Sequence, residues 1–190
     1  AYVLDLAGPV GTAAHRAPSI LLFTAIVTGK SAHAGFAPEQ GVHAVAVAAH
    51  SVSRLRMGRL DGETTLNVGV VTGGRAANVI PDACEVRGEA RSFSHASAEA
   101  RIEEVRRVFQ EEADAAGAQL AFEVSCVCEA YEIAADHPVI RRFKAACAAQ
   151  KLTPALEQTF GGSDNNWLMK RGITGLVIAP GMYQCHTCQE

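Results

Sequence analysis

The sequence lacks a strong charge of either sign and lacks a long apolar run. Its 17 Lys and Arg residues nearly balance 20 Asp and Glu residues, which gives a formal net charge of -3. A nucleic-acid or anionic-membrane partner normally requires a marked basic surface, which this balance does not favour. No segment approaches the roughly 18 apolar residues of a membrane-spanning helix. We therefore expect neither a nucleic-acid partner nor membrane association.

The 6 cysteines lack the regular spacing of a disulfide framework. A chain of 190 residues, 48% of them hydrophobic, can fold around its core without such cross-links. We expect reduced thiols and a cytoplasmic location. An alternative is a structural zinc site that joins Cys126 and Cys128 to Cys185, His186 and Cys188. The gap between the first two cysteines is shorter than zinc ligand pairs usually have.

Strand and helix patterns alternate between residues 19 and 128. Strands are predicted at 19–29, 64–72, 83–93 and 119–128, and helices at 42–56 and from an N-cap at Ser97 to Gly117. This order suits a four-stranded, mostly antiparallel sheet with two helices on one face. The predicted fold class is therefore α/β, with an α+β module whose other sheet face is left to meet a partner.

The residues on either side of this module follow a different rhythm. Strands are predicted at 2–6 and 174–179, a helix at 137–150, and a short helix at 164–171 capped by Asp164. We expect both flanks to belong to one larger α/β domain that contains the module as an insertion. Because the chain opens without Met and directly in a strand pattern, we also expect a piece of a longer protein. The predicted boundaries are 1–18, 19–130 and 131–190.

Ten short motifs occur in order along the chain. Together they resemble the peptidase T-like branch of the co-catalytic zinc exopeptidases. That family also contains aminoacylases, carnosinases, succinyl-diaminopimelate desuccinylase and glutamate carboxypeptidase. The resemblance covers essentially the whole chain. The motifs are Ala17–Ser19, Gly29–Gly35, Pro38–Gly41, Gly58–Asp61, Glu63–Thr65, Gly73–Gly74, Asn78–Pro81, Gly88–Ser92, Gly161–Asp164 and His186–Thr187.

The resemblance implies a catalytic domain with two zinc ions and an inserted lid that forms a homodimer. The ligand types would also allow cobalt or manganese. Asp5 matches the acid that binds one ion, and His186 matches the histidine that binds the other. His33 matches a lid histidine that reaches the partner subunit's active site and steadies the tetrahedral oxyanion. Asn78 and Arg91 match positions that hold the terminal carboxylate of the substrate.

Each of these positions also has a purely structural interpretation. A strand-end acid such as Asp5 ordinarily belongs to a turn. A histidine such as His33 ordinarily belongs to a surface loop, and His186 would ordinarily be a loop histidine beside cysteines. Asn78 could organise the turn before Pro81, and Arg91 could be an ordinary cation on a sheet face.

The family's early His-x-Asp motif, its bridging aspartate and its Glu-Glu pair have no counterpart in the sequence. These groups would supply metal ligands and the general base. We therefore expect a fragment of a zinc-dependent metallopeptidase that hydrolyses amide bonds of short peptides or N-acyl amino acids. We expect the chain by itself to be inactive. The alternative is a non-catalytic dimerisation or ligand-binding module.

Overall fold

The computed structural model describes residues 1–183. Those residues contain four α-helices, namely α1 Ala44–Arg54, α2 His95–Ala116, α3 Pro138–Ala149 and α4 Asp164–Lys170. Their strands are β1 Tyr2–Leu4, β2 Thr12–Ala17, β3 Ser19–Thr28, β4 Gly58–Arg59, β5 Thr64–Gly73, β6 Ala83–Ser92, β7 Gln119–Cys128, β8 Tyr131–Glu132, β9 Ala155–Gln158 and β10 Leu176–Ile178.

The chain divides into two compact units. The central unit comprises Ile20–Ser92 and Ala96–Val127. The flank unit comprises Ala1–Ser19, Phe93–His95 and the chain from Cys128 onward. Among the described residues, no helix is both long enough and apolar enough to cross a membrane.

The central unit is a five-stranded sheet with two helices on one face. Its strand order is β4-β5-β6-β3-β7, and both β4 and β6 pair with β5 in antiparallel fashion. The four long strands match the predicted ones, and the two-residue β4 adds a fifth strand that was not predicted. The mixed α/β class predicted from the sequence is confirmed.

Alternation along the strands decides which face the helices cover. In β3, the side chains of Leu21, Phe23, Ala25 and Val27 are buried in one core together with residues of both α1 and α2. Successive side chains of a strand point to opposite faces, so these four define the covered face. The intervening residues, such as Leu22, lie on the open face.

The ends of α2 confirm one prediction and correct another. Gly117 ends the helix with a φ of 68°, and the Ala118 N–H donates to the Ala113 carbonyl at 2.9 Å, which is a Schellman-type end. The predicted N-cap at Ser97 was wrong. The helix begins at His95, so Ser97 lies within its first turn.

The flank unit is a sheet of strand order β1-β10-β2-β8, with β9 also paired to β2. The opening strand β1 lies parallel to the late strand β10. Strands β2, β8 and β9 were not predicted. The expected N-cap of α4, Asp164, was also wrong. Ser163 caps the helix, because its Oγ accepts from the Asn165 N–H and its own N–H donates to Asn166 Oδ1.

Candidate functional site

The central unit holds His33 in a loop of residues 30–42, here called the His33 loop. The base of the loop is closed by two backbone hydrogen bonds between Lys30 and Val42, at 3.0 and 2.9 Å. Gly29 permits this closure, because a Cβ at that position would lie 2.1 Å from the Val42 carbonyl oxygen. The loop is therefore held at its base by main-chain contacts.

A second set of main-chain bonds joins the His33 loop to residues 78–82. The Gly29 N–H donates to the Asp82 carbonyl at 2.9 Å, and the Ile80 N–H donates to the Ala32 carbonyl at 2.8 Å. The Ala34 N–H then donates to the Asn78 carbonyl at 3.0 Å. These bonds extend the pairing between β3 and β6 beyond the first residue of β6. They bring two predicted site residues, His33 and Asn78, side by side.

The imidazole of His33 is exposed, but its orientation is defined. Its Nδ1 lies 3.1 Å from the Gly35 backbone nitrogen and 3.2 Å from that of Phe36, and both N–H groups donate to it. A nitrogen that accepts two N–H bonds carries no proton, so the neutral ring carries its hydrogen on Nε2. His33 therefore presents Nε2–H as a hydrogen-bond donor.

Arg91 lies elsewhere on the same unit. It sits eight residues after Ala83 along β6, which corresponds to about 26 Å at the usual rise of a strand. His33 and Asn78 lie beyond the opposite end of that strand, past Ala83. The structure thus groups two of the three predicted lid residues and separates the third.

The guanidinium of Arg91 is already paired. Its Nε lies 2.7 Å from Oε1 of Glu89 and one terminal nitrogen lies 2.9 Å from Oε2. This is the two-pronged geometry in which arginine recognises a carboxylate. A substrate carboxylate that binds Arg91 would therefore compete with Glu89 for Nε and that terminal nitrogen, or would contact the guanidinium from another side.

Asp5 follows β1 in the flank unit and is exposed. Beyond it, Gly8 N–H donates to the Met182 carbonyl at 2.8 Å, so the two segments still run together. His186, the other predicted metal ligand, lies outside the described residues, as do Cys185 and Cys188. Within residues 1–183, no group of three or more His, Cys, Asp or Glu side chains could hold a metal ion. The described residues by themselves therefore do not contain a complete set of metal ligands.

Sequence reasoning missed two residues that bear on these positions. Glu89 pairs with Arg91, and Phe36 contacts His33 through both its ring and its N–H. The available signals were spacing and size. Glu89 stands two residues before Arg91 and therefore on the same face of β6. Phe36 is a large apolar residue in a loop otherwise built of small and polar ones.

Comparison with known proteins now identifies the family. Residues 18–117 match the peptidase dimerisation domain of the M20 peptidases. The chain belongs to the M20 peptidase family. It is 33% identical over 189 residues to the uncharacterised protein YqjE of Bacillus subtilis, covering 100% of this chain and 51% of that protein. The family predicted from the motifs is confirmed.

Two solved structures are similar to the chain in both sequence and fold. The aminopeptidase PepT of Bacillus cereus is 35% identical with a TM-score of 0.91, covering 98% of this chain and 50% of its own. A tripeptidase of Staphylococcus aureus is 29% identical with a TM-score of 0.93, again covering 98% and 50%. These likenesses support the peptidase T-like branch.

A third structure shares the fold alone. It is the YXEP protein of Bacillus subtilis, described as a dinuclear metal-binding peptidase of the M20 family. It is 24% identical with a TM-score of 0.66, over 98% of this chain and 46% of its own. The chain thus spans about half the length of the relatives it matches.

Proposed function

We propose that the chain is part of a zinc-dependent metallopeptidase of the peptidase T type, acting on short peptides or N-acyl amino acids. Residues 19–130 would be its lid and dimerisation domain, and residues 1–18 and 131–190 segments of its catalytic domain. The likeness to an aminopeptidase and a tripeptidase supports this proposal. The cysteines, which lack framework spacing, agree with the proposed cytoplasmic location.

The observation that carries the proposal is the pair of backbone N–H bonds that Nδ1 of His33 accepts. In amide hydrolysis, negative charge develops on the carbonyl oxygen of the substrate, and a preoriented donor aimed at that oxygen lowers the barrier. The two N–H bonds to Nδ1 leave Nε2–H free to act as that donor. Asn78, which lies beside His33, is proposed to contact the same substrate.

The proposed metal is zinc, with Asp5 binding one of two ions and His186 the other. The same ligand types also suit cobalt and manganese. Of these two proposed ligands, the described residues include Asp5 alone. Since the chain spans half the length of its relatives, we expect it to lack peptidase activity by itself.

The proposed partner is a second copy of the chain. His33 and Asn78 lie past one end of β6, and Arg91 lies near the other, about 26 Å along the strand. If all three contact one small substrate, His33 and Asn78 must come from one subunit and Arg91 from the other. The peptidase dimerisation domain to which residues 18–117 belong agrees with this arrangement.

A subunit-mixing experiment tests both the role and the partner. In the longest protein that the gene encodes, we expect His33→Ala to lower kcat about 100-fold to 1,000-fold, as loss of an oxyanion donor does. His50→Ala serves as the control, because that side chain is 73% exposed on α1 and outside the site. Loss of kcat in His50→Ala, or its retention in His33→Ala, contradicts the proposed role.

The same variants report on the dimer. Equal mixing of His33→Ala with Arg91→Ala subunits makes half of the dimers mixed, each with one intact site, so about a quarter of the activity returns. Mixing His33→Ala with Asn78→Ala returns none, because these two residues lie side by side on one subunit. Recovery in both mixtures, or in neither, contradicts the composite site.

A second candidate is a non-catalytic dimerisation or ligand-binding module. It is favoured by the lack of any metal-ligand group among residues 1–183. Under this alternative, the longest encoded protein forms a stable dimer but shows no peptidase activity with added zinc. Activity that depends on added metal excludes it.

A further inference from the structure

Phe36 is a large apolar side chain that the central unit leaves in solvent. It is 86% exposed, whereas Phe23 and Phe122 of the same unit pack with the core. Exposed aromatic surface is unfavourable in water. The ring contact that Phe36 does form therefore indicates what its side chain does. That contact is with His33.

Phe36 holds His33 in two independent ways. Its backbone N–H donates to Nδ1 at 3.2 Å, alongside the bond from Gly35. Its ring stacks on the imidazole, with centroids 4.2 Å apart and planes 21° apart. The main-chain bonds define which nitrogen carries the hydrogen, and the stacked ring covers one face of the imidazole. Rotation about the Cα–Cβ bond of His33 would lift it off that ring.

We propose that Phe36 is a positioning residue for His33, whose stacked ring holds the imidazole plane so that Nε2–H meets the substrate oxyanion. This inference rests on the function proposed above for His33. A donor contributes to catalysis only when it is already aimed at the place where charge develops. The imidazole is itself exposed, so the restraint must come from the loop. Small misalignments of a catalytic group are costly.

The two kinds of restraint can be separated by substitution. Phe36→Leu keeps the backbone N–H and most of the apolar volume but loses the flat face. Phe36→Tyr keeps the flat face, and its added hydroxyl can reach solvent because the side chain is exposed. Phe36→Ala loses both the face and the volume. Since Phe36 lies outside the core, we expect none of the three to change the melting temperature by more than a few degrees.

The experiment compares these variants in the longest protein that the gene encodes. Phe36→Ala and Phe36→Leu should lower kcat about five-fold to ten-fold, the size expected for loss of one aromatic stacking contact, with KM changed less than two-fold. Phe36→Tyr should stay within two-fold of the parent protein. Val124→Ala, an exposed apolar position on β7, serves as the matched control. A Leu variant as active as the Tyr variant overturns the inference.

A readout without catalysis completes the test. In the 190-residue chain, nuclear magnetic resonance should show Nε2 protonated in all variants, because the main chain sets the tautomer. The order parameter of the His33 ring should fall in the Ala and Leu variants alone, and equal values throughout overturn the inference. If His33→Ala leaves kcat unchanged, the proposed function falls together with this inference. If only the His33 variant loses kcat, the inference alone is wrong.

Discussion

Asn166 provides a sharp test of how the flank unit is held together. Its side chain is 2% exposed and uses both ends of the amide. The amide nitrogen donates to the Pro18 carbonyl at 3.2 Å and to the Glu129 carbonyl at 2.8 Å. The amide oxygen accepts from the Ser163 N–H at 3.0 Å. One side chain thus links three segments that are distant in sequence.

We expect Asn166→Ala to destabilise the flank unit by about 3 kcal/mol. The change leaves two carbonyls and one N–H without their side-chain partner. Each buried unpaired group costs about 1–3 kcal/mol, and water that enters the vacated space offsets part of this cost. The assay is urea unfolding followed by the fluorescence of Trp167, which is the single tryptophan and the next residue in α4. Asn67→Ala, an exposed position on β5, should cost less than about 0.5 kcal/mol.

Asn166→Asp tests the direction of the hydrogen bonds. A carboxylate can accept from Ser163 but cannot donate to the two carbonyls, so burial beside them raises its pKa above the unfolded value. The folded state then binds more protons than the unfolded state, and stability falls as pH rises through the folded pKa. Asn166→Asp should therefore be less destabilised near pH 4 than near pH 8. Equal destabilisation at both, or a cost below about 1 kcal/mol for Asn166→Ala, would refute this account.

Two further predictions concern the central unit. Gly88→Ala should cost about 1–3 kcal/mol in thermal unfolding, because an added Cβ would lie 2.2 Å from the Asn67 carbonyl oxygen and 2.5 Å from Phe23. Gly62→Ala, which meets nothing within 4 Å, is its control, and equal losses would contradict the steric reason. Hydrogen bonds from Arg54 and Arg107 lower the pKa of Glu111, so Arg54→Ala should raise that pKa in an NMR titration. Because the pKa of Glu111 is lower in the folded state, its pairs with Arg54 and Arg107 stabilise the folded protein at pH values above the ordinary carboxyl pKa. This stabilisation is lost as the pH falls through the pKa of the folded state. High salt should reduce this rise in the pKa of Glu111. An unchanged pKa at low salt would contradict the proposed effect of Arg54.

The strands of the central unit could be predicted because their pattern is local. From Leu21 to Thr28, strand β3 alternates buried side chains with half-buried or exposed ones, and β7 was predicted with the bounds that the structure shows. Strand β2 is different. Its sequence, Thr-Ala-Ala-His-Arg-Ala, has few β-branched or aromatic residues, and β9 and β10 pair with it from distant parts of the chain. Such pairing overrides local propensity and could not be predicted from the segment itself.

The helix caps were mispredicted for a different reason. Asp164 and Ser97 are both good capping residues by type, but the cap depends on which side chain reaches a free N–H. At α4, that group is Ser163 Oγ, supported by the reciprocal bond from the Ser163 N–H to Asn166. An acid in the first turn, as Asp164 is, remains favourable beside the helix dipole. Residue type therefore located the helix start to within three residues but not the capping atom.

Sequence motifs identify candidate site residues, but they do not show which of those residues lie close together. The sequence could predict His33, Asn78 and Arg91 as site residues, but only the bonds of Gly29, Ala32 and Ala34 to residues 78–82 show that the first two lie past the start of β6. An extended peptide spans about 3.3–3.6 Å per residue. Ala83 already lies about 26 Å from Arg91 and Asn78 lies beyond it, so one subunit would need a substrate of at least about eight residues to join Asn78 to Arg91. A tripeptide spans about 10 Å at most and could meet both groups only between two subunits. Substrate length therefore separates the two arrangements. A composite site predicts that Arg91→Ala loses activity on tripeptides and that mixing with His33→Ala subunits restores part of it, whereas no recovery on tripeptides would contradict that site.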